Sequence, residues 1–214
     1  MDYKHFAEMM MKGTTTVGII CSDGIVVGAD SRATMDTFIS SSEAIKVNRI
    51  DENLAMTIAG GVGDAEYLVK MLKVQNELYK MEEHKPLSPS SATSLLSLVL
   101  QENKMMPFIV QLIIAGLNNG VPEIYNMDPF GGYTKESKFT STGSGSPTAL
   151  GYLEDVYDKN ASTQEMLRHA AKAIKMAMKR DSATGDKIIL VAITKKGYKE
   201  YSGDEIEKLL KESK

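Results

Sequence analysis

The sequence predicts an α+β fold in which sheets pack on each other with helices outside. Three observations lead there. The elements run strands, two helices, strands, two helices, strands, and this segregation favours stacked sheets over alternating βαβ units. The strand segments TTTVGII, IVVGADS and PFIVQLIIAGL are dense in β-branched and apolar residues. A chain of 214 residues, 43% hydrophobic and 25% charged, holds one sizeable core and is short for two ordinary domains.

The first unit reads as a β-hairpin, TTTVGII and IVVGADS flanking the turn residues Ser22-Asp23-Gly24. A three-residue loop with Gly24 in the left-handed position sets Asp30 opposite Thr16, on Thr14's face. Strands follow at AIKVNRI (44–50) and LAMTIAG (54–60), joined by a polar DEN. GVGD then leads into a helix from about Asp64 to Glu83, with Leu68, Val69, Leu72 and Tyr79 at helical spacing and Asp64 as N-cap. A second helix begins at SPSS with Pro89 in its first turn and runs to about Asn103. Strands over 107–117, 122–128 and 132–142 come next, the first two joined by NNG. Helices over 146–157 and 163–179 follow, the latter opened by Ser162 and Glu165 at capping-box spacing. The strand KIILVAIT, a KKG turn, YKEYS and a short helix close the chain.

Composition excludes several function classes. A formal charge of −3 with dispersed Lys and Arg gives no electrostatic case for nucleic acid. No apolar run approaches the roughly 18 to 20 residues of a membrane span. The single cysteine, Cys21, cannot form an internal disulfide and reads as a small core residue near a strand end. His5, His84 and His169 are scattered, with no ligand spacing for zinc and no Ser–His–Asp arrangement, so a hydrolase here needs another base. The leader MDYKHFAEMMMKG lacks the apolar stretch of a secretory signal, and HFAEMMMK has the pattern of a weak helical turn or two. It reads either as a disordered tail or as a removable propeptide.

GGVGDA and TGSGSP each precede a helix, where backbone N–H groups can meet an anion or a developing oxyanion. Neither matches a P-loop or a dinucleotide fingerprint. The triple threonine behind Gly13 has two readings, a polar strand start or a hidden N-terminus. A threonine hydroxyl needs a base beside it, and an N-terminal threonine carries its own α-amine, of pKa about 7.7–8.0. That amine exists only once Gly13-Thr14 is cut. A lysine nearby lowers the amine's pKa, and an aspartate keeps that lysine charged. Lys46 and Asp30 are candidates for the two roles.

GTTTVGI, ADSRAT, Lys46 in EAIKV, MTIAGGVGDA, MPFIVQLIIAG, DPFGG, TGSGSP and RDSATG occur in that order from Gly13 nearly to the C-terminus. In this series the chain resembles proteasome β subunits of the simple archaeal type, within the N-terminal-nucleophile hydrolases. The resemblance implies a four-layer αββα sandwich over 14–214 behind a removable propeptide, 1–13. It implies a threonine endopeptidase with Thr14 as nucleophile, Asp30 and Lys46 as the tuning charge pair and the Gly60 N–H on the oxyanion. Ser144 would handle protons with Asp181 and Thr184, the last standing where the family usually has serine. Substrate backbone would lie along Thr34 and Gly60. Ala33, Ala44, Asn48, Ile58 and Val62 would line an apolar pocket without an acid, for apolar or aromatic residues before the cut. The resemblance implies no cofactor or metal. It implies partners in an α-subunit ring, other β subunits in two stacked heptamers, an AAA+ unfoldase and unfolded polypeptides, in the cytoplasm. A structural ring subunit without catalysis is expected to lose Gly13, Thr14 or Lys46, and all three are present.

Overall fold

A computed structural model describes residues 13–35 and 38–211. Two five-stranded antiparallel sheets stack face to face. The first has the order β10-β1-β2-β11-β12 and the second β5-β6-β7-β8-β9. Their strands are β1 (Thr16–Cys21), β2 (Gly24–Asp30), β5 (Val47–Asp51), β6 (Leu54–Gly60), β7 (Val110–Asn118), β8 (Val121–Met127), β9 (Tyr133–Glu136), β10 (Phe139–Thr142), β11 (Ile188–Thr194) and β12 (Gly197–Tyr201). A separate two-stranded ribbon joins β3 (Ala33–Met35) to β4 (Phe38–Ser41). The described helices are α1 (Val62–Glu83), α2 (Pro89–Glu102), α3 (Ser146–Val156), α4 (Thr163–Met178) and α5 (Asp204–Lys211).

Strand periodicity explains the layering. Ile25, Val27, Ala29, Ile113, Ala115 and Val191 point between the sheets and form the central core. Val17, Ile19, Val26 and Leu190 point the other way, onto α3 and α4 residues such as Ala149, Leu153, Leu167 and Ala170. Met56, Leu112 and Ile114 meet α1 and α2 through Leu68, Leu72 and Leu96. The result is the four-layer αββα sandwich. Ser162 and Glu165 form the expected capping box, Ser88 caps α2, and Asn119 and Gly120 both take positive φ in the β7–β8 turn. Cys21 is buried, which pushes its thiol up to about 12.

Several expectations are corrected. The β1–β2 loop is only Ser22-Asp23: Cys21 faces Gly24, Thr16 faces Ala29, and Asp30 lies one step beyond, with its N–H on the Thr15 carbonyl. Asp30 therefore does not sit opposite Thr16. The turn is held from outside, by Ser22 N–H on Ala161 O and by Asp23 accepting from Thr163 N–H (2.7 Å) and Oγ1 (3.1 Å). Gly24 is required not for a left-handed turn but because a Cβ there would overlap the Ile193 carbonyl of β11.

Asp64 is not an N-cap; α1 starts at Val62 behind Gly61, and Asp64 Oδ2 accepts from Ile109 N–H. The 44–50 strand begins only at Val47. The segment 132–142 splits, β9 joining the second sheet and β10 the first. The β3–β4 ribbon has no expected counterpart in sequence. The helical turn expected over 5–12 lies outside the described residues.

Glycine substitutions separate backbone crowding from helix propensity. Gly24→Ala is expected to destabilise the chain by about 2 kcal/mol or more, through overpacking against β11. Gly151→Ala, on an α3 face with no atom near its added Cβ, is expected to stabilise by roughly 0.5–1 kcal/mol. Urea midpoints of the two variants check both signs.

Candidate active site

The candidate site lies at one end of the sandwich, where β1, β2, the 143–145 loop and the 181–186 loop of the first sheet meet the β6 end of the second. A recess of about 390 Å³ opens there, and Gly13, Thr14, Lys46 and Gly60 all line it. Thr14 is buried and follows an intact peptide bond from Gly13, so its nitrogen is an amide. Gly13 has φ +79°, and a Cβ on it would press on Thr34 Oγ1. The Thr14 hydroxyl lies against the Gly13 carbonyl oxygen.

Asp30 is fully buried and organises what surrounds Thr14. Its Oδ1 accepts from Thr15 N–H (2.9 Å) and from Lys46 Nζ (3.0 Å). Its Oδ2 accepts from Gly185 N–H (2.9 Å) and Arg32 N–H (3.1 Å). Burial holds Lys46 below the ordinary lysine value, with the Asp30 carboxylate pulling the other way. Lys46 is thereby a buried cation poised to lose its proton more readily than a surface lysine.

A second group forms on the other side of Thr14. Ser144 Oγ donates to Asp181 Oδ2 (2.6 Å) and lies 3.3 and 3.5 Å from the amides of Gly13 and Thr14, which point at it. Thr184 Oγ1 also donates to Asp181 Oδ2 (2.5 Å) and lies 2.8 Å from Thr15 Oγ1. Gly145 N–H reaches the Thr14 carbonyl, and a Cβ at Gly143 would overlap that same carbonyl. The loop is wrapped around the Thr14 backbone as closely as glycine allows. Gly60 has φ +120° and no room for a Cβ against Ile109 O, while Gly61 N–H bonds that same oxygen.

The structure thus brings Thr14, Lys46 and Gly60 to one recess, holds Asp30 buried behind Lys46, and sets Ser144, Asp181 and Thr184 beside it. Ala33, Thr34, Ala44, Asn48, Ile58 and Val62 all line its walls. The wall is less apolar than expected. Glu66 also lines it, with Lys70 and Lys73, because a stripe of α1 at spacing 62, 66, 69, 70, 73 faces inward. Glu66 is paired to Lys70 at 3.0 Å. The Asn48 Nδ2 and Thr34 Oγ1 atoms are buried with no partner among the described residues.

Sequence reasoning missed Arg32 and Asp186. Arg32 bonds Asp186 through Nε (3.0 Å) and the Ser182 carbonyl through Nη1 (2.9 Å), and its guanidinium occupies the space a Cβ at Gly185 would need. This clamps the 181–186 loop so that Gly185 N–H meets Asp30. Asp186 sits at φ +69°, and its carboxylate raises the Arg32 pKa. The signal in sequence was the string ADSRAT, whose arginine had no reading of its own. A wider groove of about 660 Å³ at the opposite end, near Asp23, Lys195 and Tyr198, holds none of these groups.

A family model described as Proteasome subunit matches residues 10–193. The chain is similar to proteasome subunit beta of Methanocaldococcus vulcanius, 48% identical over 94% of this chain and 90% of that protein. It is also similar to the subunit beta proteins of Methanohalophilus mahii (45%, covering 95% and 97%) and Methanosarcina thermophila (45%, covering 93% and 95%). Geometry and kinship together define a peptidase of the threonine type. Within that class the chain belongs to the proteasome subunit family, as a catalytic β subunit of the 20S core, built to assemble with other subunits.

Removing the Asp30 charge tests the buried pair. Asp30→Asn is expected to destabilise by about 3–5 kcal/mol, since Lys46 is left uncompensated. Lys46 then has a folded-state pKa still further below its unfolded value of roughly 10.4. A base depressed in this way costs stability at pH below its folded pKa, and the cost fades as pH rises toward the unfolded value. The deficit against wild type should therefore shrink as pH rises toward the unfolded lysine value in denaturant titrations.

Proposed function

We propose that the chain becomes active by cutting itself between Gly13 and Thr14, and that Thr14 is then the nucleophile for peptide hydrolysis. The observation that carries this reading is the contact between the Thr14 hydroxyl and the Gly13 carbonyl, in a glycine-only conformation beside a buried Lys46–Asp30 pair. In the uncut chain, Thr14 Oγ attacks the Gly13 carbonyl carbon while Lys46, in the uncharged form that its burial makes accessible, takes the hydroxyl proton directly or through a water. The peptide nitrogen leaves with a proton as the new α-amine, giving a Gly13 ester that water hydrolyses to a carboxylate. The cut thereby creates the base that turnover uses.

In turnover the α-amine takes the Thr14 hydroxyl proton, Lys46 and Asp30 tune it, and the Gly60 N–H receives the oxyanion. Ser144, Asp181 and Thr184 form a proton-handling relay beside the amine; their hydrogen-bond order, two hydroxyls donating to one carboxylate, supports it. Substrate backbone lies along Thr34 and Gly60. The side chain before the cut enters between Ala33, Ala44, Ile58 and Val62, favouring apolar and aromatic residues, with Glu66 and Lys70 at the wall contributed by α1. The partners are an α-subunit ring, further copies of this chain in two stacked heptamers, and an AAA+ unfoldase that feeds unfolded polypeptides through the α ring, in the cytoplasm. No cofactor enters the chemistry. Among the described residues no helix is long and apolar enough to cross a membrane.

The test is the intact mass of the chain after assembly with the α subunit of its own source, beside Thr14→Ala. Loss of residues 1–13 from the wild type and not from the variant supports the reading; a full-length wild-type chain inside an assembled barrel overturns it. Lys46→Arg distinguishes a base from a charge. Arginine keeps a cation beside Asp30 but cannot give up its proton. Leader removal is expected to fall at least about 100-fold, in line with the loss of a general base. Gly13→Ala is expected to slow leader removal roughly tenfold or more, since the positive φ is then strained by about 1–3 kcal/mol.

A further inference from the structure

Gln111 breaks an otherwise apolar strand, Val110–Asn118, at its first inward position. Ile113 and Ala115, of the same parity, lie in the core between the sheets, while Leu112 and Ile114 face the helices. An apolar side chain is expected there on packing grounds alone. Instead the Gln111 Oε1 reaches across and accepts the Gly143 N–H at 3.0 Å.

Both ends of this bond sit next to reacting groups. Gln111 is paired with Ala59, the residue before Gly60, so its backbone is fixed to the strand that presents the oxyanion amide. Gly143 is the residue before Ser144 and has φ +90°, and a Cβ on it would overlap the Thr14 carbonyl. Fixing the Gly143 N–H fixes the Thr142–Gly143 peptide plane, one residue before the Ser144 side chain departs. The two sheets bear different parts of the site, and this bond is a polar strut between them, close to the reacting atoms.

We propose that Gln111 is a positioning residue for peptide hydrolysis: it sets the spacing between the Ser144 hydroxyl on the first sheet and the Gly60 amide on the second. This rests on the reading of Thr14 as nucleophile. Gln111 touches neither substrate nor Thr14 in this role. It acts through the 143–145 loop, whose partly buried Gly143 N–H would otherwise turn to find another acceptor.

Gln111→Met keeps the length and bulk of the side chain and removes the acceptor; Gln111→Glu restores an acceptor. Both are assembled with the α subunit and assayed on a fluorogenic peptide, in the wild-type and the Ser144→Ala backgrounds. The expected result is a kcat about tenfold lower for Met with KM within about twofold, and recovery to at least about half of wild type for Glu. In the Ser144→Ala background, Met is expected to change kcat by less than about twofold, because both changes act on one element. An unchanged kcat for Met, a loss equal in both backgrounds, Glu as slow as Met, or failure of the Met chain to assemble would each overturn the proposal in favour of a packing role. Thr14→Ala, run alongside, keeps the two readings apart: peptide hydrolysis surviving in that particle removes the nucleophile assignment itself, whatever the Gln111 variants do.

Discussion

The carboxylate of Asp30 is the constraint on which the rest of the site depends. Four donors converge on its two oxygens, from Thr15 just before β1, from the stretch entering β5, from the turn after β2 and from the loop before β11. The backbone ladders run out at this sheet end, at Asp30 N–H on Thr15 O and Ser31 N–H on Lys187 O, and beyond them the carboxylate is a further tie among the segments. A buried carboxylate with fewer donors is costly, so satisfying it drags all four backbones into register. The same act makes Lys46 tolerable, because burial alone drives that amine toward neutrality and the Asp30 charge resists it. Asp30 is therefore at once a structural knot and an electrostatic setting. Arg32 extends the knot outward, pinning the 181–186 loop from the solvent side.

Thr14 sits within this frame before any cut is made. Its burial, the loop wrapped around its carbonyl and the positive-φ Gly13 mean that little has to move for the proposed self-cleavage. Preorganisation of this kind belongs in the folded scaffold rather than in the substrate. Glycine recurs where neighbours crowd the backbone here: at 13 against the Thr34 hydroxyl, at 143 against the Thr14 carbonyl, at 60 against the Ile109 carbonyl. At each, a side chain would push apart groups that the chemistry needs together.

Much of this was legible in the sequence. The order of elements gave the layers, the capping box and Pro89 gave helix starts, and motif resemblance picked out residues that the fold does bring to one recess. What was illegible has a common physical cause, dependence on tertiary contacts. The Ser22-Asp23 turn takes its length from Thr163 and Ala161, some 140 residues on, so local turn rules chose the wrong register. Asp64 has the chemistry of a cap but spends it on Ile109. Glu66 joins the recess because it shares an α1 face with Val62, Val69, Lys70 and Lys73, and which helix face meets a recess is set by docking rather than by local pattern. Periodicity also could not show that β9 and β10, three residues apart, belong to different sheets.

That last division explains why the site is where it is. The chain leaves the second sheet at Glu136 and enters the first at Phe139, and five residues later it delivers Ser144. The Gly60 amide, proposed to receive the oxyanion, stays behind on β6 of the second sheet, while Thr14 leads into β1 of the first. Stacked sheets are held together mainly by apolar contact, which resists separation well and sliding poorly, since it lacks direction. Chemistry that needs sub-ångström spacing between the two sheets requires directional bonds as well. The structure supplies them near the site end, Gly143 to Gln111, and again at Asn126 to Thr140 Oγ1 (2.9 Å). Polar residues in an inter-sheet layer lower its apolar area and so weaken the core. Their presence between these two sheets makes sense as the means by which a stacked pair keeps one fixed alignment at its catalytic end.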